Sequence, residues 1–212
     1  MSVIKLDDTS ESIIYLSQKD KRLKALISMI GSITYKTYDD PYQFVIHEII
    51  EQMLSAKAAQ KIYERLESLC DGKVSYNAIG RLSDEELKSV GTSAPKVKYI
   101  RNLTREVAQG TIDLSRLATL DNGEIIRTLT SVKGIGNWTA KMYLIFVLDR
   151  QDVLPYEDVA FLQGYKWLYN TKITDPQKVI SKCKKWSPYS SVAARYLYKA
   201  LDGGYTKNKF VL

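Results

Sequence analysis

The chain has 212 residues, 45% of them hydrophobic, and carries 31 Lys and Arg against 24 Asp and Glu, a net charge of +7. That length supports one substantial core or two small lobes, and the positive balance suits a polyanionic partner. Two cysteines, Cys70 and Cys183, exclude a disulfide framework, a four-cysteine zinc site and a cysteine-ligated iron–sulfur cluster; the single histidine, His47, excludes a metal site of several imidazoles and reads as structural rather than catalytic.

The first residues, MSVIKLDDTSESIIYL, hold no basic-then-apolar leader, and no segment reaches the ~20 apolar residues of a membrane span. A soluble, cytoplasmic protein is expected. From Ser10 to Ile30 the apolar positions Ile13, Leu16, Leu23, Leu26, Ile27 and Ile30 keep a helical rhythm, with a break near Gln18 to Asp20. Ser32 to Tyr38 is β-prone and reads as an extended connection. Asp40-Pro41 then caps and starts a helix to about Leu54, and Ser55 caps the next one, Ala56 to Cys70, closed by Asp71-Gly72. Ser83 with Glu86 forms a capping box, and Gly91 ends that short helix. Pro95 opens another helix to Gln109-Gly110, and Asp121 with Glu124 opens the one that leads to Leu129. Pro176 and Pro188 stand where two further helices begin, the last of them running to Leu201 and closed by Gly203-Gly204. Helices in sequence with no strand pattern give an all-α fold.

The stretch from Leu129 to Asp158 organises the rest. Val132-Lys133-Gly134-Ile135-Gly136 is a tight turn whose two glycines allow positive φ and close approach of the backbone to a ligand. Asn137 caps an apolar helix from Trp138 to Leu148. A helix, a turn with exposed N–H groups and a second helix make an anion site that reads phosphate rather than base sequence, and Lys133 adds charge. After Pro155, Asp158 stands at the start of a helix from Val159 to Tyr169. Taken alone, Asp158 reads as a helix cap and Trp138 as a core aromatic. Most of the 15 tyrosines and three tryptophans read as core as well, with some free to stack on bases.

Gly134-Ile135-Gly136-Asn137-Trp138-Thr139-Ala140, followed by Asp152-Val153-Leu154-Pro155 and Asp158, resembles the helix-hairpin-helix DNA glycosylase superfamily and, within it, the DNA-3-methyladenine glycosylase II branch. The similarity extends to Tyr42–Ser55 with Gln52, to Asp84-Glu85-Glu86-Leu87, and to Trp186-Ser187-Pro188-Tyr189, covering most of the chain from about Tyr15. The resemblance implies two helical lobes flanking a cleft, a central one over about 42–160 and another from about 1–41 plus 161–212. It implies a monomer that binds double-stranded DNA, turns out an alkylated base and hydrolyses its N-glycosidic bond.

On the same resemblance Asp158 is the catalytic carboxylate, and Trp138, Met142, Tyr198 and Gln52 line the base pocket. Lys133, Gly134, Ile135, Gly136, Thr139 and the wedge Met53 meet DNA. No side-chain metal site and no cofactor are implied, beyond a monovalent cation held by hairpin carbonyls. The lyase branch of the family carries its Schiff-base lysine directly before Thr-Ala, where this chain has Trp138. Lys141 lies three residues on. A non-catalytic hairpin module is the other alternative, and a carboxylate at 158 speaks against it. Three positions depart from the family pattern: Glu51 for a frequent Ser, Phe161-Leu162-Gln163 for a basic stretch, and Ser190 for a frequent Arg. Each is expected to weaken contact with DNA.

Overall fold

A computed structural model describes residues 3–212. In chain order its elements are β1 (Val3–Leu6), α1 (Glu11–Lys19), α2 (Lys21–Ile30), β2 (Ile33–Lys36), α3 (Pro41–Glu51), α4 (Ala56–Leu69), α5 (Tyr76–Arg81), α6 (Asp84–Ser89), α7 (Ala94–Ala108), α8 (Asn122–Thr130), α9 (Asn137–Phe146), α10 (Val159–Tyr169), α11 (Pro176–Cys183) and α12 (Ser190–Asp202). The chain forms two compact units, Met1–Thr37 with Asp149–Leu212, and Tyr38–Leu148. Residues 149–160, expected in the central lobe, fall in the unit built from the chain ends.

In the unit Tyr38–Leu148, α3 is the central element. Asp40 accepts the N–H groups of Tyr42 and Gln43, and Pro41 fills a first-turn position where no N–H is needed. Its apolar residues Phe44, Val45, Ile46, Ile49 and Ile50 are buried as α3 packs against α4, α7 and α9. Each such side chain contributes about 1.5–3 kcal/mol through removal from water. The expected capping box of Ser83 with Glu86 forms, and Asp121 with Glu124, expected to open α8, makes a second one. α3 stops at Glu51, three residues before the expected end, and α5 was not anticipated, because Tyr76–Arg81 is too short to show a period.

The unit of the chain ends packs α10 against α12, with α1 and α2 beside them. Leu16, Leu23, Leu26, Phe161, Trp186, Tyr196 and Leu197 are buried at its centre. The break between α1 and α2 falls at Asp20, whose carboxylate caps α2 through the N–H groups of Arg22 and Leu23. It also accepts from Trp186 Nε1 at 3.0 Å and from the Tyr169 hydroxyl, and pairs with Lys185 Nζ at 2.9 Å. Burial alone would raise the Asp20 pKa; the hydrogen bonds from Tyr169, Lys185 and Trp186 outweigh it and hold the carboxyl below its ordinary range.

Three sequence expectations change. Ile33–Lys36 is a true strand, antiparallel to Val3–Leu6 with Leu6 opposite Ile33, because the preceding chain supplies a partner no local pattern announces. Asn137 is the first residue of α9 and Gly136 its N-cap, without a side-chain cap. Pro188 lies ahead of α12, which Tyr189 precedes directly. Among the described residues no helix is long and apolar enough to cross a membrane.

Candidate nucleic-acid interface and catalytic carboxylate

The hairpin between α8 and α9 is held from beneath by its own apolar residues and from the side by two helices. Val132 and Ile135 are buried, and the Ile135 N–H donates to the Val132 carbonyl at 3.0 Å. Asn102 of α7 donates its amide to the Lys133 carbonyl, and Gln52, at the end of α3, donates to the Gly134 carbonyl, both at 3.0 Å. Gly134 has φ 109°, and a Cβ built there would lie 2.2 Å from the Tyr99 ring. Both the backbone and the packing therefore require glycine. Gly136 differs: its φ is −100°, it is exposed, and a Cβ there would meet nothing. The uncapped first turn of α9 stands behind this open residue, with the positive end of the helix dipole and exposed Lys133 close in sequence.

Met53 follows Gln52 with φ 61°, a conformation that β-carbon-bearing residues seldom adopt, and its side chain is fully exposed. Ser55 then caps α4 by accepting the Ala58 N–H. Behind this turn Lys96 Nζ donates to the Ile50 carbonyl at 2.6 Å, placing a cation at the C-terminal end of α3. Burial lowers the Lys96 pKa. The segment 50–54 is thus fixed at both sides of Met53.

On α9, Trp138 and Lys141 are half-buried while Met142 is buried. Thr139 is 1% exposed and the Ile135 side chain 5% exposed. Neither side chain is available to DNA, so a contact made at these two positions is made by their backbone. Gln52, expected in the base pocket, has its amide committed to the hairpin and is a support for that turn.

The carboxylate sits in the unit of the chain ends. Asp158 is the N-cap of α10, where Oδ1 accepts the Phe161 N–H at 2.6 Å, and the residue is only 8% exposed. Its own N–H donates to the Pro155 carbonyl at 2.9 Å. The preceding loop is tied to the start of α12: Val153 N–H donates to Ser191 Oγ and Ser191 N–H to the Gln151 carbonyl, each at 2.9 Å, while Asp152 accepts from the Ser187 and Ser190 hydroxyls. Phe161 is fully buried, its ring centroid 6.3 Å from that of Trp186 in an edge-to-face arrangement. Tyr198 lies half-buried on α12. Beside it in sequence, Arg195 is buried against the Tyr35 ring at 3.7 Å and pairs with Asp149 at 3.1 Å.

These contacts revise two of the family departures. Phe161 is a core residue and Ser190 is buried on Asp152, so neither side chain is a surface position at which a DNA contact has been lost, whereas Gln163 is exposed and remains a place where the basic stretch of the family would face solvent. Glu51 is partly buried beside His47. The Glu48 carboxylate, accepting from the imidazole, raises the His47 pKa above its ordinary range by more than burial lowers it. Tyr99 and Asn102, which position the hairpin, carry no sequence signal, since nothing local in α7 marks a residue that supports a turn some 30 positions later.

Residues 46–188 match the model of the HhH-GPD superfamily of base excision DNA repair proteins. The chain belongs to that family. It is 32% identical to "DNA-3-methyladenine glycosylase 1" of Schizosaccharomyces pombe over 92% of this chain and 89% of the relative. Among solved structures it is similar to a DNA-3-methyladenine glycosidase from Bacillus halodurans, with TM-score 0.84 and 36% identity over 97% of this chain and 95% of that one. It is also similar to the S. pombe 3-methyladenine DNA glycosylase in complex with abasic DNA, with TM-score 0.85 and 30% identity over 91% and 97% of the two chains. Family membership makes the helix-hairpin-helix of α8 and α9 the DNA-binding element, in agreement with its open, uncapped turn.

Proposed function

We propose that the protein is a monofunctional DNA glycosylase of the 3-methyladenine glycosylase II type, which turns alkylated purines, 3-methyladenine and 7-methylguanine among them, out of duplex DNA and hydrolyses their N-glycosidic bond. The observation that carries this reading is Asp158, a sequestered carboxylate at a helix N-cap held by a loop tied to α12. The names of the relatives support the alkylated-base class. A monomer is sufficient, because each group the chemistry uses comes from this one chain.

A purine alkylated at N3 or N7 carries a positive charge. When the bond from C1′ to the base breaks, its electron pair passes to the base and neutralises it, so a strong general acid is unnecessary. Positive charge moves to the sugar instead. A fixed carboxylate stabilises that charge more in the transition state than in the ground state, which accelerates the step. Water then adds to C1′, and its proton leaves to Asp158 or to solvent. Half-buried Trp138 supplies a ring face for the cationic base, a contact worth about 0.5–2 kcal/mol, whereas Met142 is 4% exposed and its side chain is part of the core rather than of that surface.

The hairpin holds a phosphate through the N–H groups at Gly136 and the first turn of α9, while Met53 enters the stack where the base has left. The carbonyls of Val132, Lys133 and Gly134 each already accept a hydrogen bond, so a monovalent cation at this turn has to use their second lone pairs. Such a cation would act on phosphate binding, and the bond cleavage at C1′ proceeds without it. The test is base release from methylated duplex DNA: free 3-methyladenine and 7-methylguanine are expected, with an intact abasic strand and no adduct trapped by borohydride. A trapped adduct would mean that an amine such as Lys141 attacks the sugar, and no base release from a folded, DNA-bound protein would leave only a binding module.

A further inference from the structure

The last turns of α3 carry a group of side chains that excision does not use. His47 Nδ1 lies 3.8 Å from Glu48 Oε1 and 3.6 Å from Glu51 Oε2, and one ligand atom from each residue falls within 4.8 Å of the others. Among the described residues this is the one group of three His, Cys, Asp or Glu side chains so gathered. Helical geometry explains it in part, since His47 and Glu51 stand one turn apart on the same face. The three side chains are 19%, 10% and 29% exposed, so the cluster is largely removed from water yet open to an entering ion.

The imidazole is also oriented from outside the cluster. The Tyr63 ring meets it edge to face with centroids 5.2 Å apart. Tyr63 is itself held by a hydrogen bond from its hydroxyl to Gln43 Oε1 at 3.2 Å. Partners of this kind fix the ring of a metal-binding histidine and the nitrogen it presents.

We infer that His47, Glu48 and Glu51 form a three-ligand site for a divalent transition metal, zinc in the first place, with the remaining position open to water. Ligand atoms about 2.0–2.1 Å from a tetrahedral ion lie roughly 3.3 Å from one another. The His47–Glu48 and His47–Glu51 separations of 3.8 and 3.6 Å are close to that spacing, and the two carboxylates, within 4.8 Å of each other, approach it by rotation of their side chains. One imidazole and two carboxylates suit zinc or manganese, whereas calcium and magnesium take oxygen ligands alone. Having a single histidine excluded a site of several imidazoles; it leaves this donor set open. It also gives Glu51 a role that the family pattern, with Ser at this place, does not supply. Glu51 directly precedes Gln52 and Met53, so a bound ion fixes the end of the helix that presents the exposed Met53 side chain. That consequence rests on the proposed wedge; metal binding itself does not.

The experiment uses the whole chain, freed of metal by a chelator and titrated with zinc chloride by calorimetry, with cobalt(II) as the spectroscopic probe. One zinc per chain with micromolar or tighter affinity is expected, together with visible cobalt bands of nitrogen and oxygen ligation. Glu51→Gln and His47→Gln should each weaken zinc binding by at least about tenfold, with folding checked by circular dichroism; if His47→Gln fails to fold, Glu51→Gln alone decides. Absence of binding, binding unchanged in the folded variants, or intense thiolate-to-cobalt bands from Cys70 or Cys183 overturns the proposal. Because no DNA is present, either outcome is independent of base release, and the two readings can fail separately.

Discussion

The Gln52 side-chain amide donates to the Gly134 carbonyl at 3.0 Å and so joins the end of α3, one residue before Met53, to the DNA-binding turn. In the proposed function this bond links the wedge to the phosphate grip mechanically. Gln52→Leu keeps the length of the side chain but leaves a partly buried carbonyl without its donor. We expect a loss of about 1 kcal/mol in stability by urea denaturation and weaker binding to an abasic-site duplex. Wild-type affinity together with wild-type stability would remove the link.

Gly134→Ala tests the turn itself. The substitution meets the Tyr99 ring and also forces alanine into φ 109°. The single variant should lose well over 1 kcal/mol, and DNA binding with it. In a Tyr99→Ala background the steric part disappears and the backbone part stays, so the penalty of Gly134→Ala should shrink without vanishing. Full additivity of the two changes, read by denaturant unfolding, would show that the ring and the turn do not interact.

Met53→Gly separates folding from function because the two effects have opposite signs. Glycine relieves the strain of φ 61°, and the fully exposed side chain gives up little packing, so stability should stay within about 1 kcal/mol of wild type despite the added freedom of the unfolded chain. Excision should fall, and a fluorescent base analogue opposite the lesion should report less unstacking. Unchanged unstacking moves the wedge elsewhere, with half-exposed Leu54 the next residue to vary.

Asp20 sets an acid limit on the unit of the chain ends. Its folded-state pKa lies below the ordinary 3.8, so the carboxylate contributes stability that is fully present above the unfolded value and is lost as pH falls through the folded one. Stability attributable to this group should be level from neutral pH to about 5 and decline below 4. Asp20→Asn keeps a capping oxygen but breaks the charged network with Lys185, Tyr169 and Trp186. A loss of about 2–3 kcal/mol at neutral pH is expected, with a shallower acid slope, measured by denaturant melts across the pH range. An identical acid slope in the variant would assign the pH dependence to other carboxylates.

What was legible in the sequence follows from how local its cause is. Asp40-Pro41, Ser83 with Glu86 and Asp121 with Glu124 announce helix starts because the capping bonds reach only two or three residues. Asp158 could be placed as a cap for the same reason, and the family resemblance gave it a chemical role that a cap alone does not imply. Tyr99 under Gly134, Asn102 on Lys133 and Val3–Leu6 pairing with Ile33–Lys36 arise from tertiary contact and leave no local trace. The burial of the Thr139 and Phe161 side chains was not legible for a related reason: membership of a motif does not tell which side chains of it face the core.

The functional reading stands or falls with Asp158→Asn. In the cap, Oδ1 accepts the Phe161 N–H at 2.6 Å, and an asparagine oxygen can take the same bond, since Asn caps helices as well as Asp. Stability should therefore change by less than about 1 kcal/mol, and affinity for undamaged duplex should persist because the hairpin belongs to a different part of the chain. What the variant lacks is the negative charge facing the developing positive charge on the sugar. Loss of one preorganised electrostatic group costs roughly 3–4 kcal/mol, so single-turnover release of 3-methyladenine should slow by about a hundredfold to a thousandfold. A residue that served only as a cap predicts the same small change in stability but an unchanged rate. If the folded variant keeps more than about a tenth of the wild-type rate, Asp158 is a structural cap, and the neighbouring carboxylate of Glu157 becomes the one to test.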